Sequence, residues 1–269
     1  MPKLIFTLLG KYNITTGSPD QSIQLPQLPK LLLVHFLFNR HRWHTREGIT
    51  EQFWPDYTPR KAASNLTSTL TRLHQALPSG FRPLIQTCGT NTLMLSNEVD
   101  LWVDAEEFEA EASLVDTALN EDAADRLRNA LGLYHGDLLP GWDEEWILIE
   151  RERLRYLFVI SLRRLMGFYE ETGALERAVA CGQRVLKFEP LHEATHEALM
   201  QIYLQTGFRA AALKQYETCR RLLKTQLGVE PNDRLRELYG KALNPGPRRR
   251  LRSSRSLLTP MLERSGSAD

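Results

Sequence analysis

Apolar and polar residues alternate along LIFTLLGKYNI, residues 4–14. After the turn signal GSPD, SIQL offers a second short strand, so the pattern predicts a small N-terminal sheet. KLLLVHFLF, Lys30 to Phe38, is apolar enough for strand or helix, and the clusters beside it favour a buried helix. Thr45 can cap a second helix through its hydroxyl, with Glu47 in the first turn, and Trp54 followed by Pro55 ends it. Thr58 and Pro59 start a third helix that Pro78 closes. LIQTCGTNTLML, residues 84–95, predicts a hairpin with glycine and asparagine in its turn. From Val103 onward the periodicity is helical only, as in DAEEFEAEASLV, AADRLRNALGLY and the long EEWILIERERLRYLFVISLRRLMGFYEE.

The strongest regularity lies in that second half. Leu165, Met166, Tyr169, Gly173 and Ala178 recur 34 residues later as Leu199, Met200, Tyr203, Gly207 and Ala212. That period, with alanine where two helices approach closely and glycine where the chain turns, is the tetratricopeptide pattern of paired helices. The expected fold is therefore mainly α: an N-terminal winged helix-turn-helix (α+β), then an all-α tetratricopeptide-like domain. The expected boundaries are 1–97 and 98–245, with 246–269 a basic tail that composition marks as disordered.

The third helix carries the candidate chemistry. Ala63, Leu66, Leu70, Leu73 and Leu77 form an apolar stripe, so the opposite face displays Lys61, Ser64, Ser68, Thr71, Arg72 and Gln75, flanked by Asn65 and Thr67. Each Ser or Thr inside a helix costs on the order of 0.5 kcal/mol relative to alanine, so Thr67, Ser68, Thr69 and Thr71 together cost about 2 kcal/mol. In isolation this is a polar solvated face. Following a short helix and a turn, and preceding a hairpin, it has the order of a recognition helix whose side chains can reach base edges and phosphates.

Composition supports the division. The 42% hydrophobic and 25% charged content is that of a globular protein, and the net charge of +1 is segregated. Residues 1–97 have ten Lys/Arg against four Asp/Glu, residues 98–245 eighteen against twenty-seven, and residues 246–269 six against two. A basic head beside an acidic body suits polyanion binding by the head. No apolar run approaches the roughly 20 residues of a membrane span, and Met1 to Leu9 lacks signal-peptide features, so a cytoplasmic protein with no membrane partner is expected. Cys88, Cys181 and Cys219 are far apart and odd in number, which predicts reduced, structural thiols.

The chain resembles the bacterial antibiotic-regulatory-protein activators, the SARP family. The resemblance rests on LLGKYNI, FWPD, NLTSTLTRLHQAL, VDAEEFE, YHGDLLPGWDEEWILIERERLR and the segment from Phe188 to Pro231, and covers about residues 4–243. It implies an OmpR-type winged helix joined to a bacterial transcriptional activator domain: a sequence-specific activator that binds double-stranded DNA, recruits RNA polymerase and self-associates on tandem sites. Arg72 matches the first arginine of the family's Arg-Leu-Arg and inherits a DNA contact. Two departures stand out: Thr67 and His74 replace common arginines, and Leu28 and Pro29 stand where basic residues are usual. The hairpin turn has no cation either, so the wing relies on Arg82. Fewer cations imply fewer displaced counterions and a shallow salt dependence. Arg40, Arg42, Arg46, Arg60 and Lys61 are the candidate phosphate grips.

Other readings compete. A tetratricopeptide-like adaptor with a degenerate winged helix is one, and the front end of an ancestral regulator that carried a nucleotide-binding sensor is another. HEATH, with His192, Glu193 and His196, matches the zinc-hydrolase spacing H-E-x-x-H, and Glu217 lies within range of a third ligand. Against it, the motif opens a repeat helix after Pro190, and His196 falls where the repeat packs on its neighbour. Trp142 and Trp146 are expected to pack at the domain junction, with a partner contact as the alternative. No phosphate loop, nucleophile elbow or redox C-x-x-C occurs, so neither enzyme, cofactor nor metal is expected.

Overall fold

The computed structural model describes residues 3–17, 22–89, 91–114 and 119–244; Ser18 to Asp20, Thr90 of the hairpin turn, Val115 and the basic tail lie outside the described residues. The chain forms two compact units, the first ending at Phe188 and the second beginning at Glu189.

The first unit starts with β1 (Lys3–Thr7) at the centre of a three-stranded sheet, between antiparallel β2 (Asn13–Thr15) and parallel β6 (Asp100–Val103). Leu4 and Phe6, two residues apart, are fully buried on one face, and Phe6 lies opposite both Ile14 and Val103. The second strand is thus Asn13–Thr15 and not SIQL, of which Ser22 contributes a single bridge to Thr15.

Next come α1 (Gln27–Phe38), β3 (His44–Thr45), α2 (Arg46–Phe53) and α3 (Pro59–Ala76). Leu32 through Leu37 are buried without interruption, as an all-round apolar helix requires. The Thr45 hydroxyl accepts from the Gly48 N–H at 3.0 Å, the expected cap. Thr58 caps α3 only through its carbonyl, which accepts from the Ala62 N–H at 2.9 Å; its hydroxyl makes no cap bond. β4 (Ile85–Cys88) and β5 (Thr92–Leu95) form the expected hairpin, and β3 adds to its edge in the order β3-β5-β4.

Four helices complete this unit: α4 (Asp104–Ala112), α5 (Glu121–Leu133), α6 (Glu145–Glu171) and α7 (Leu175–Phe188). An aromatic cluster holds them, with Tyr134 and Phe158 stacked at 4.1 Å and Phe108 and Phe188 packed edge-on to it. The second unit contains α8 (Glu193–Gln205), α9 (Arg209–Leu227) and α10 (Asp233–Leu243), packed around Met200, Cys219, Leu223 and Leu235.

The 34-residue offset has a structural counterpart in each unit. Gly173 turns α6 into α7 at φ +77°, and Gly207 turns α8 into α9 at φ +80°, a left-handed conformation that glycine adopts without Cβ strain. Ala178 and Ala212 are both fully buried. Among the described residues no helix is long and apolar enough to cross a membrane. All three cysteines are free, and burial pushes the Cys181 thiol up to about 11 and the Cys219 thiol up to about 12, which suits inert packing groups.

Candidate nucleic-acid interface

The buried side of α3 is Ala62, Leu66, Thr69, Leu70 and Leu73, with Leu77 following at the cap. Ala63, expected in the stripe, is exposed: at 100° per residue it sits about 70° from the centre of the buried arc, whereas Ala62 falls inside it. Lys61, Ser64, Thr67, Ser68, Thr71, Arg72 and Gln75 are exposed and Asn65 is half-buried, so the expected face is free.

The threonines fit a helix because their hydroxyls are bonded within it. Thr67 donates to the Ala63 carbonyl at 2.9 Å, Thr69 to Asn65 at 2.8 Å and Thr71 to Thr67 at 2.9 Å. Thr69 is therefore a satisfied core residue, while Thr67 and Thr71 present oxygen lone pairs outward. Arg46, at the start of α2, donates from Nη2 to the Thr67 hydroxyl at 3.0 Å and brings a guanidinium to the flank of α3. Lys61 lies over the Tyr57 ring at 4.7 Å. Arg60 and Arg72 form no ion pair among the described residues, which leaves both charges available to a polyanion.

Two other expected cations have other partners. Arg82 donates from Nε to the Leu77 carbonyl at 2.6 Å and from Nη2 to Gln75 at 2.8 Å, so it closes the C-terminus of α3. Arg40 is paired with Glu106 at 2.9 Å. His74, at a common arginine position, accepts from the Ile85 N–H at 3.4 Å; burial and then the Arg82 charge lower its pKa, so a neutral ring joins helix to hairpin. Trp43, absent from the residues that the sequence singles out, is 60% exposed beside Arg42 just before β3, and the run HRWH, an aromatic among cations, is its signal in the sequence.

Elsewhere in the first unit three separated segments meet. The buried Asp104 carboxylate accepts from the Leu8 N–H at 2.8 and 2.9 Å, from Leu9 at 3.0 Å and from Ala105 at 2.8 Å. Burial raises its pKa and the three amides pull it back. Leu139 donates its N–H to Leu8, and Gly10 to Asp137, both at 2.9 Å. Trp142 packs on Tyr12 and Trp146 on His35 and Phe38, so both tryptophans pack within the first unit against residues from the N-terminal segment. Arg151 donates to the carbonyls of Leu138, Leu139 and Trp142 at 2.6 to 2.8 Å, holding that loop.

The zinc reading of HEATH is corrected by its hydrogen bonds. His196 is buried, with Nε2 against the Pro190 carbonyl at 2.9 Å and Nδ1 against the Gln215 amide at 2.7 Å, so both ring nitrogens are engaged. His192 Nδ1 accepts from the Thr195 N–H at 3.2 Å as the cap of α8, and Glu193 accepts from the Asn232 N–H at 2.8 Å. Among the described residues no cluster of three His, Cys, Asp or Glu could hold a metal ion.

Residues 103–243 match the bacterial transcriptional activator domain. The chain belongs to that family. The matched region begins at Val103, one residue before Asp104, and runs from α4 through α10. Among curated relatives of this family member, the regulatory protein AfsR of Streptomyces coelicolor is 28% identical over 242 residues, covering 87% of this chain and 23% of AfsR. AfsR of Streptomyces griseus is 29% identical, covering 89% of this chain and 24% of its own length. The chain thus spans about a quarter of these two relatives. The transcriptional regulatory protein MoaR1 of Mycobacterium tuberculosis is 23% identical, covering 90% of this chain and 80% of MoaR1. Mycobacterium tuberculosis EmbR, solved in complex with a low-affinity phosphopeptide, shares the fold with a TM-score of 0.69 at 20% identity, covering 92% of this chain and 66% of that one.

Proposed function

We propose that this protein is a SARP-type transcriptional activator that binds double-stranded DNA through α3. The supporting observation is the exposed face of α3, where unpaired Arg72 and Arg60 accompany Ser64, Asn65, Ser68, Thr71 and Gln75, with Arg46 held at the flank by Thr67. The order of two strands, three helices and a hairpin is that of a winged helix-turn-helix, in which α3 enters the major groove. Residues 1–97 are the DNA-binding module. Residues 98–245, whose helix pairs follow a tetratricopeptide-like period, serve self-association and contact with RNA polymerase in the cytoplasm, without catalysis. Arg82 retains Nη1 for a phosphate while its other donors cap α3.

The test is a gel-shift series on DNA upstream of neighbouring genes, with unrelated competitor. Specific retention is expected, and Arg72→Ala weakens it by about 1 to 3 kcal/mol. Equal affinity for target and competitor sinks the proposal. The second reading, a protein-interaction adaptor, is favoured by the wing, since CGTN has no cation and Arg82 is bonded to α3; that reading requires the absence of any DNA retention at low salt.

A further inference from the structure

The helices α5, α6 and α7 line an open cavity of about 420 Å³ to which no residue of α3 contributes. Its apolar lining includes Leu162 and Leu165, and Arg128, Arg177, Arg184 and Tyr169 also face it. Three guanidiniums run against the composition of this region, where residues 98–245 carry twenty-seven acidic and eighteen basic side chains.

Of the three, only Arg128 has a carboxylate partner among the described residues. Arg128 pairs with Asp125 at 2.8 Å. Arg177 lies over the Tyr169 ring at 5.7 Å and has no carboxylate partner among the described residues. Arg184 donates to the carbonyls of Leu131 at 2.6 Å and Tyr134 at 2.9 Å and stacks on Phe158 at 4.9 Å, again without a carboxylate. Tyr169 is 4% exposed, and its hydroxyl has no hydrogen-bond partner among the described residues. Arg128 lies within weak hydrogen-bonding reach of that hydroxyl, without a well-formed bond between them. A buried phenol left unpaired is costly and uncommon.

These groups are donors and positive charges on an apolar floor, a combination that repels cations and selects an anionic head on an apolar body. The volume is that of a site for a small organic molecule. We propose that this cavity binds a small amphiphilic organic acid, its carboxylate held by Arg128, Arg177 and the Tyr169 hydroxyl, its apolar body on Leu162 and Leu165.

Calorimetric titration of the full chain with decanoate tests this, with decanol and inorganic phosphate as body-only and head-only controls and thermal melts alongside. Saturable one-to-one binding of decanoate and a raised Tm are expected, with both controls at least roughly tenfold weaker. Tyr169→Phe removes an unpaired hydroxyl, so the free protein keeps or gains Tm while decanoate affinity falls roughly tenfold; a merely structural hydroxyl gives the opposite pair of changes. Arg177→Ala, at an exposed position that the fold tolerates, lowers affinity by a similar factor. Decanol binding as tightly as decanoate, or wild-type affinity in both variants, overturns the proposal.

Discussion

A carboxylate 2% exposed is expensive unless hydrogen bonds replace its water, and Asp104 has three backbone N–H groups doing so. Replacing it with alanine strands the Leu8 and Leu9 amides in the interior. Asp104→Ala is therefore expected to cost about 3 to 5 kcal/mol, and Asp104→Asn, which keeps an acceptor, about 1 to 2 kcal/mol, as urea unfolding would measure. Equal losses for the two would show that side-chain volume, not acceptance, matters. None of this was legible in VDAEEFE, where Asp104 reads as an ordinary acidic residue at a helix start. The threonines of α3 were half legible: their spacing placed them on named faces, but only the structure shows that Thr67, Thr69 and Thr71 bond to carbonyls one turn back.

Helices and the hairpin were legible where caps and periodicity are local. Thr45 capped as its chemistry requires, and Pro78 follows the end of α3. β6 was not legible, since DLWV is too short for a period and its partner β1 begins 97 residues earlier. The stripe of α3 erred by one residue because Ala62 and Ala63 are equivalent in composition and only the packed neighbours choose between them. The close approach of two loops was likewise hidden. A Cβ on Gly136 would stand 2.9 Å from the Gly10 Cα, a contact with backbone that cannot swing aside. Gly136→Ala is expected to destabilise by about 1 to 3 kcal/mol and lower the Tm without changing helix content, checked by calorimetry and circular dichroism. An unchanged Tm would mean the two loops separate freely.

Across the first unit, His35 of α1 gathers His44 of β3, Phe53 of α2 and Trp146 of α6 at 5.1 to 5.6 Å. Burial and then the neighbouring His44 push its pKa down to about 4 from 6.5. In the unfolded chain the ring takes a proton first, so stability is intact above pH 6.5 and is lost as pH falls from there toward 4, by about 3 kcal/mol from this group. His35→Phe should flatten that decline in denaturation curves taken at successive pH values; an unaltered slope would assign the decline elsewhere. At this scale the division between sequence and structure follows from distance along the chain. The sequence by itself determined the helices and the hairpin, the 34-residue period, the basic head and acidic body, and the free face of α3, because each is written in local spacing or in composition. The tertiary structure alone decided that Arg82 caps α3, that both nitrogens of His196 are bonded, that Asp104 joins Leu8 and Leu9, and that Arg128, Arg177 and Arg184 face one cavity. A side chain's hydrogen-bond partner is set by which distant segments pack beside it, and local periodicity does not carry that information.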